Sequence, residues 1–116
     1  MEEQSFWSKL QQLITTSAII IDRPKGSSHP TYPDLIYPFD YGFLAGTSGG
    51  DGGGIDLWRG SEALPALRGI IATVDLVKRD TELKLLLGCS QTEMQTIHNF
   101  HNRTNVMGGL LIIAPK

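Results

Sequence analysis

Hydrophobic and polar positions follow two different periods along this chain, and the changes of period divide it into short elements. Residues 5–14 place Phe6, Trp7, Leu10, Leu13 and Ile14 at spacings of three and four, which predicts a short amphipathic helix with Ser5 available as its cap. Residues 18–21, Ala-Ile-Ile-Ile, read as a buried strand, because β-branched side chains fit a pleated backbone better than a helix; Pro24 and Gly26 end it. From 22 to 34 the chain carries three of its six prolines with Gly26, Ser27 and Ser28, so this stretch is a loop or a contracted hairpin.

Residues 35–43 alternate Tyr37, Phe39, Tyr41 and Phe43 with Pro38, Asp40 and Gly42, a strand pattern in which Pro38 must sit at an edge, an end or a bulge. Six of the thirteen glycines then fall within 46–54, an intradomain loop, since too little chain flanks it for two cores. Further strands are expected at 55–58, 69–77 and 83–87, with a turn around Pro65 and a hairpin turn at 78–81. Ser90-Gln91-Thr92-Glu93 matches a capping box, opening a helix over 92–102 with Met94, Ile97 and His101 on one face. Residues 110–113 form a terminal strand. Several short strands with small helices at both ends make an α+β, mainly β arrangement or a small barrel.

Composition narrows the function classes. At 116 residues the chain suits a single domain, 1–116, and 41% hydrophobic against 19% charged residues excludes a disordered chain. A formal net charge of -2 argues against non-specific nucleic-acid binding, which needs a cationic surface. One cysteine, Cys89, excludes an internal disulfide scaffold and reads as a small buried residue. The longest apolar runs, 18–21 and 110–114, are too short to span a membrane. The opening Met-Glu-Glu, with no basic region before an apolar core, leads to the expectation of no secretory signal and a cytoplasmic location.

Three segments carry candidate chemistry. Asp51-Gly52-Gly53-Gly54-Ile55-Asp56 holds two carboxylates five apart, joined by glycines that let both converge on one hard cation; a plain Asp-Gly surface turn is the alternative. Asp22-Arg23-Pro24-Lys25-Gly26-Ser27 places an acid and two cations at a strand end, a site or a solvated loop. Tyr37-Pro38-Phe39-Asp40-Tyr41-Gly42-Phe43 offers phenols that either donate to a phosphate or pack in the core with wet hydroxyls.

In this order, the segments resemble the barrel-forming, Mg²⁺-dependent soluble inorganic pyrophosphatases. That family shows Glu-Ile-Pro-Lys-Gly-Ser, Tyr-Pro-x-Asn/Asp-Tyr-Gly-Phe/Tyr and Asp-x-Asp-Pro-x-Asp, matched here by 21–27, 37–43 and 51–56. The likeness covers about residues 18–88 and is most specific in the Tyr-Pro-x-x-Tyr-Gly block. The resemblance implies a five-stranded barrel of the oligonucleotide/oligosaccharide-binding type with helices packed outside, and hydrolysis of pyrophosphate by metal-activated water. It implies Asp51, Asp56, Asp75, Glu82 and Asp22 as metal ligands, with Asp80 competing for the place of Glu82. Asp51, Asp56 and Tyr41 would carry the chemistry, and Lys25, Tyr41, Lys84 and Arg23 would hold pyrophosphate or another small phosphate compound.

The chain departs from the family at the second carboxylate of the acidic loop, here Gly53, and at the following proline, here Gly54. The cationic hairpin before the Tyr-Pro block is reduced to 28–32, and the end of the chain has no Tyr-Lys pair. Slow hydrolysis follows as an expectation, with a phosphate-, metal- or partner-binding module as the alternative. His98 and His101, three apart without a nearby cysteine or acid, read as a partly exposed pair in preference to a metal site. Trp58 and Trp7 read as core or subunit-contact residues. The apolar terminal segments and the resemblance together imply a homo-oligomer.

Overall fold

The computed structural model describes residues 2–50 and 52–116. Helix α1 (Glu2–Thr15) opens the chain, followed by strands β1 (Ile19–Arg23), β2 (Asp40–Leu44), β3 (Ile55–Arg59), β4 (Leu67–Asp75) and β5 (Asp80–Leu87). Helix α2 (Gln91–Phe100) and strand β6 (Met107–Ile113) complete it. The strands form one mixed sheet in the order β1-β2-β3-β5-β4-β6, antiparallel throughout except for the parallel pair β3–β5. The result is an α+β domain whose radius of gyration, 13.6 Å, matches the roughly 13 Å expected of a compact chain this long. No helix among the described residues is long and apolar enough to cross a membrane.

The sheet differs from the five-stranded barrel implied above: it has six strands and is not closed. The cause is the terminal apolar run. It pairs with β4 from Asp75↔Met107 to Gly69↔Ile113, while β5 occupies the other side of β4. Both edges of β4 are therefore taken, so β1 cannot close the ring on β4, and β1 and β6 remain the two edges of the sheet.

Both faces of the sheet are covered, because strand side chains alternate between them. On one face Leu44, Leu57, Ile70, Leu85 and Leu87 pack with Ile14, Trp7 and Leu10 of α1. On the other, Trp58, Ile71 and Leu86 pack with Met94 and Ile97 of α2. The capping box of α2 forms as expected: Glu93 N–H donates to Ser90 Oγ, and Ser90 N–H donates to the Glu93 carboxylate. Trp58 and Cys89 are fully buried, and Trp7 packs partly buried beneath α1.

One irregularity sets the chemistry of β1. Ile21 pairs with Gly42 and Arg23 with Tyr41, so Asp22 is the extra residue of a bulge. At Gly42 a Cβ would lie 1.8 Å from the Ile20 carbonyl oxygen, so only glycine admits this close approach of β1 to β2.

Candidate functional site

The face beneath α2 changes from apolar to polar along its strands. On β3 the step from Trp58 to Asp56, and on β5 the steps from Leu86 to Lys84 and Glu82, keep to one face by the period of two. Parallel pairing of Leu57 with Leu85 sets Asp56 beside Lys84. On β2, Tyr41 pairs with Trp58 and Phe43 with Asp56, so the Tyr41 ring lies over the same patch.

Four side chains meet there. The Tyr41 hydroxyl donates to Asp56 Oδ2 at 2.9 Å and accepts from Lys84 Nζ at 2.7 Å. The same ammonium reaches Asp56 Oδ2 at 3.2 Å and Glu82 Oε2 at 3.3 Å. Lys84 is only 6% exposed, so its charge is held by these three partners rather than by water. Lys78, on the solvent side, pairs with Glu82 at 3.5 Å.

Protonation divides the two acids. Burial pushes the Asp56 carboxyl up, but the Lys84 ammonium and hydrogen bonds from Glu82, Tyr41 and Lys84 outweigh it and hold Asp56 below the usual carboxylate range. Glu82 moves the other way: burial, then the hydrogen bond and charge of Asp56, raise it against the pull of Lys84. Asp56 is the anion of the pair, and Glu82 keeps its proton to higher pH. Burial and the neighbouring Asp56 charge raise Tyr41, whose phenol stays a donor.

Arg23 adds a second cation. The bulge at Asp22 turns its side chain over Tyr37 and Tyr41, with the guanidinium carbon 5.6 and 5.8 Å from the two ring centres and a hydrogen bond to the Tyr37 hydroxyl. Tyr37 is itself buried against Tyr41, Trp58 and Phe100.

Of the residues singled out from the sequence, Tyr41, Asp56, Glu82 and Lys84 come together, and Arg23 adjoins them. Asp51 lies outside the described residues. Asp22 is exposed on the bulge, and Arg23 takes the place opposite Tyr41 that an unbroken register would give it. Asp75 ends β4 with its carboxylate accepting from the N–H groups of Val77 and Lys78, at 2.9 and 3.0 Å, a turn cap apart from the Lys84 cluster. Lys25 is exposed. Its backbone N–H donates to Asp40 Oδ1, and its ammonium stands over Phe39. Between Asp80 and Glu82, it is Glu82 that contacts Lys84; Asp80 reaches Lys78 alone, at 4.0 Å. Among the described residues no three His, Cys, Asp or Glu side chains converge to hold a metal ion.

His98 and His101 do not form a partly exposed pair. His98 faces Gln95 at the surface, whereas His101 is 5% exposed and accepts from the Trp58 indole through Nε2. The signal was in the helix stripe: His101 continues the face of Met94 and Ile97, both core residues.

No known family model matches the chain, and no curated protein sequence matches it.

Proposed function

We propose that this chain is a cytoplasmic, pyrophosphatase-like protein, its sheet an opened relative of the barrel, that takes pyrophosphate or another small phosphate compound with Mg²⁺ and hydrolyses it slowly. One observation carries the reading: residues chosen from separate motifs at 41, 56 and 82–84 meet within hydrogen-bond distance.

The donor set fits the ion. Mg²⁺ takes one or two carboxylates from a protein and completes its shell with substrate oxygens and water. Asp56 and Glu82 would supply two, and their pairing with the Lys84 ammonium supports a site of negative charge there. When bound, Mg²⁺ would neutralise phosphate charge and acidify a bound water. The chain's own groups account for the rest. Lys84 and Arg23 offer positive charge to phosphate oxygens, and Tyr41 offers a hydroxyl donor. As water adds to phosphorus and the bridging P–O bond breaks, anionic Asp56 would accept the water's proton and the leaving phosphate would depart as an anion against Lys84 and Arg23.

A second reading, ligand binding without turnover, is favoured by Gly53 in place of the central carboxylate and by the engagement of Asp56 with Tyr41 and Lys84. Phosphate release from pyrophosphate, measured at high protein concentration with and without Mg²⁺ beside calorimetric binding, separates the two. Slow Mg²⁺-dependent release that Asp56→Asn abolishes is the expected result. Binding without release identifies the binding module, and neither signal defeats both readings.

A further inference from the structure

The two ends of the sheet are guarded differently. β1 carries the bulged Asp22, then Arg23 and Pro24, devices that hinder a further strand from pairing. β6 has neither charge nor proline along Met107–Ile113.

The direction of its backbone groups follows from its neighbours. Gly109 N–H donates to Asn102 Oδ1 at 3.0 Å, and the Gly109 carbonyl accepts from Asn102 Nδ2 at 3.1 Å; Ala114 N–H donates to the Arg68 carbonyl at the start of β4. In an antiparallel strand, successive residues point both backbone groups to opposite sides. Leu111 and Ile113 therefore present N–H and C=O away from β4, as Gly109 does. Among the described residues no side chain meets them there. Asn102 closes the edge at Gly109, and Pro115, without an N–H, closes it past Ala114. A window of open backbone remains at 110–114. Its side chains are apolar, with Leu110 63%, Ile112 40% and Ile113 48% exposed.

We propose that this window pairs antiparallel with the same window of a second copy, about a twofold axis at Ile112, joining two six-stranded sheets. In that register Leu111 of each copy faces Ile113 of the other, giving four N–H···O=C bonds, and the two Ile112 side chains meet. Gly109 falls opposite Pro115, so the position closed by Asn102 meets the one that has no N–H to pair. The window carries no charge, so it meets itself without like-charge repulsion. A heterologous peptide would have to match the same two stops. The contact removes on the order of 400 Å² from each copy, about half a standard interface, the size of a weak, concentration-dependent association.

Sedimentation of the full chain from about 5 μM to about 1 mM tests this. A monomer–dimer transition is expected. Ile112→Lys sets two ammonium groups face to face, and Ile113→Pro removes an N–H that β4 does not use. Each should raise the midpoint about tenfold or more while leaving the thermal transition of the dilute protein in place. In the unmodified chain, the Leu111 and Ile113 amides should gain exchange protection as concentration rises, a readout independent of how the variants fold. A monomer throughout the range, a dimer whose midpoint neither variant moves, or amides that stay unprotected in the dimer would each overturn the proposal.

Discussion

The Trp58 indole N–H donates to His101 Nε2 across 3.0 Å of buried core. An imidazole that accepts at Nε2 and stays neutral carries its proton on Nδ1, and Nδ1 meets no partner among the described residues. Burial first, then the Lys84 and His98 charges, push His101 down to about 3 against the pull of Asp56.

Acid should therefore weaken the fold through this residue. Between the ordinary value of 6.5 and about 3, the unfolded chain binds a proton at His101 that the folded chain refuses. The contribution is complete above 6.5 and is lost as pH falls through that window, on the order of 5 kcal/mol at its lower end. Melting temperature should drop from pH 7 to pH 4. His101→Gln, whose amide can still accept from Trp58, should flatten that slope; an equally steep drop in the variant would assign it elsewhere.

Lys84→Met should leave Asp56 and Glu82 pressed together without their cation. At pH 7 a loss of about 2 kcal/mol in urea unfolding is expected, less than for a fully dry pair because Asp56 is partly exposed. Without the ammonium the Asp56 carboxyl rises, so the deficit should shrink as pH falls and the acids take up protons. Millimolar Mg²⁺ should restore part of the loss at pH 7 if the two acids accept that ion.

Gly42→Ala should be among the most damaging small substitutions in the chain. The new methyl would meet the Ile20 carbonyl oxygen at 1.8 Å, and that oxygen belongs to the backbone of the paired strand and cannot turn aside as a side chain could. A loss above about 3 kcal/mol is expected by thermal unfolding. A variant as stable as the parent would show that β1 can move off β2 without cost.

Gly53→Asp should raise the Mg²⁺-dependent release of phosphate by about 10²-fold if a central carboxylate is what the acidic loop lacks. Unchanged turnover in a folded protein that still binds pyrophosphate would favour binding without hydrolysis.

The elements were legible where side-chain period and punctuation agreed. The Ser90–Glu93 box and the apolar runs of β1 and β3 lie where the pattern places them, whereas α1 begins at Glu2, ahead of the cap expected at Ser5, and β6 begins at Met107, three residues before its apolar run. β5 begins at Asp80, earlier than its apolar run, because its pairing with β4 extends to Asp75↔Asp80 and the acids there find cations, Asp80 in Lys78 and Glu82 in Lys78 and Lys84. Tyr41, Asp56, Glu82 and Lys84 were legible as a group through the family likeness. The bulge was not. Nothing in Asp22-Arg23 announces which of the two is the extra residue; the close approach at Gly42 decides it, and that is a tertiary fact. Closure failed for a similar reason, since the partner of the last strand is chosen by sheet packing rather than by its own composition.

The parallel pairing of β3 with β5 has a kinetic consequence. β4 and β5 are joined by a four-residue turn, so their hairpin closes locally and early, whereas β3 reaches β5 only across the whole β4 excursion. A hairpin formed alone already carries Glu82 and Lys84 but lacks Asp56 and Tyr41. Any partly folded form that stops there would hold one acid and one ammonium in open water and discriminate no ligand. If the cluster binds phosphate as proposed, that binding requires β3 to have docked on β5, so refolding followed by phosphate binding should lag refolding followed by hairpin formation.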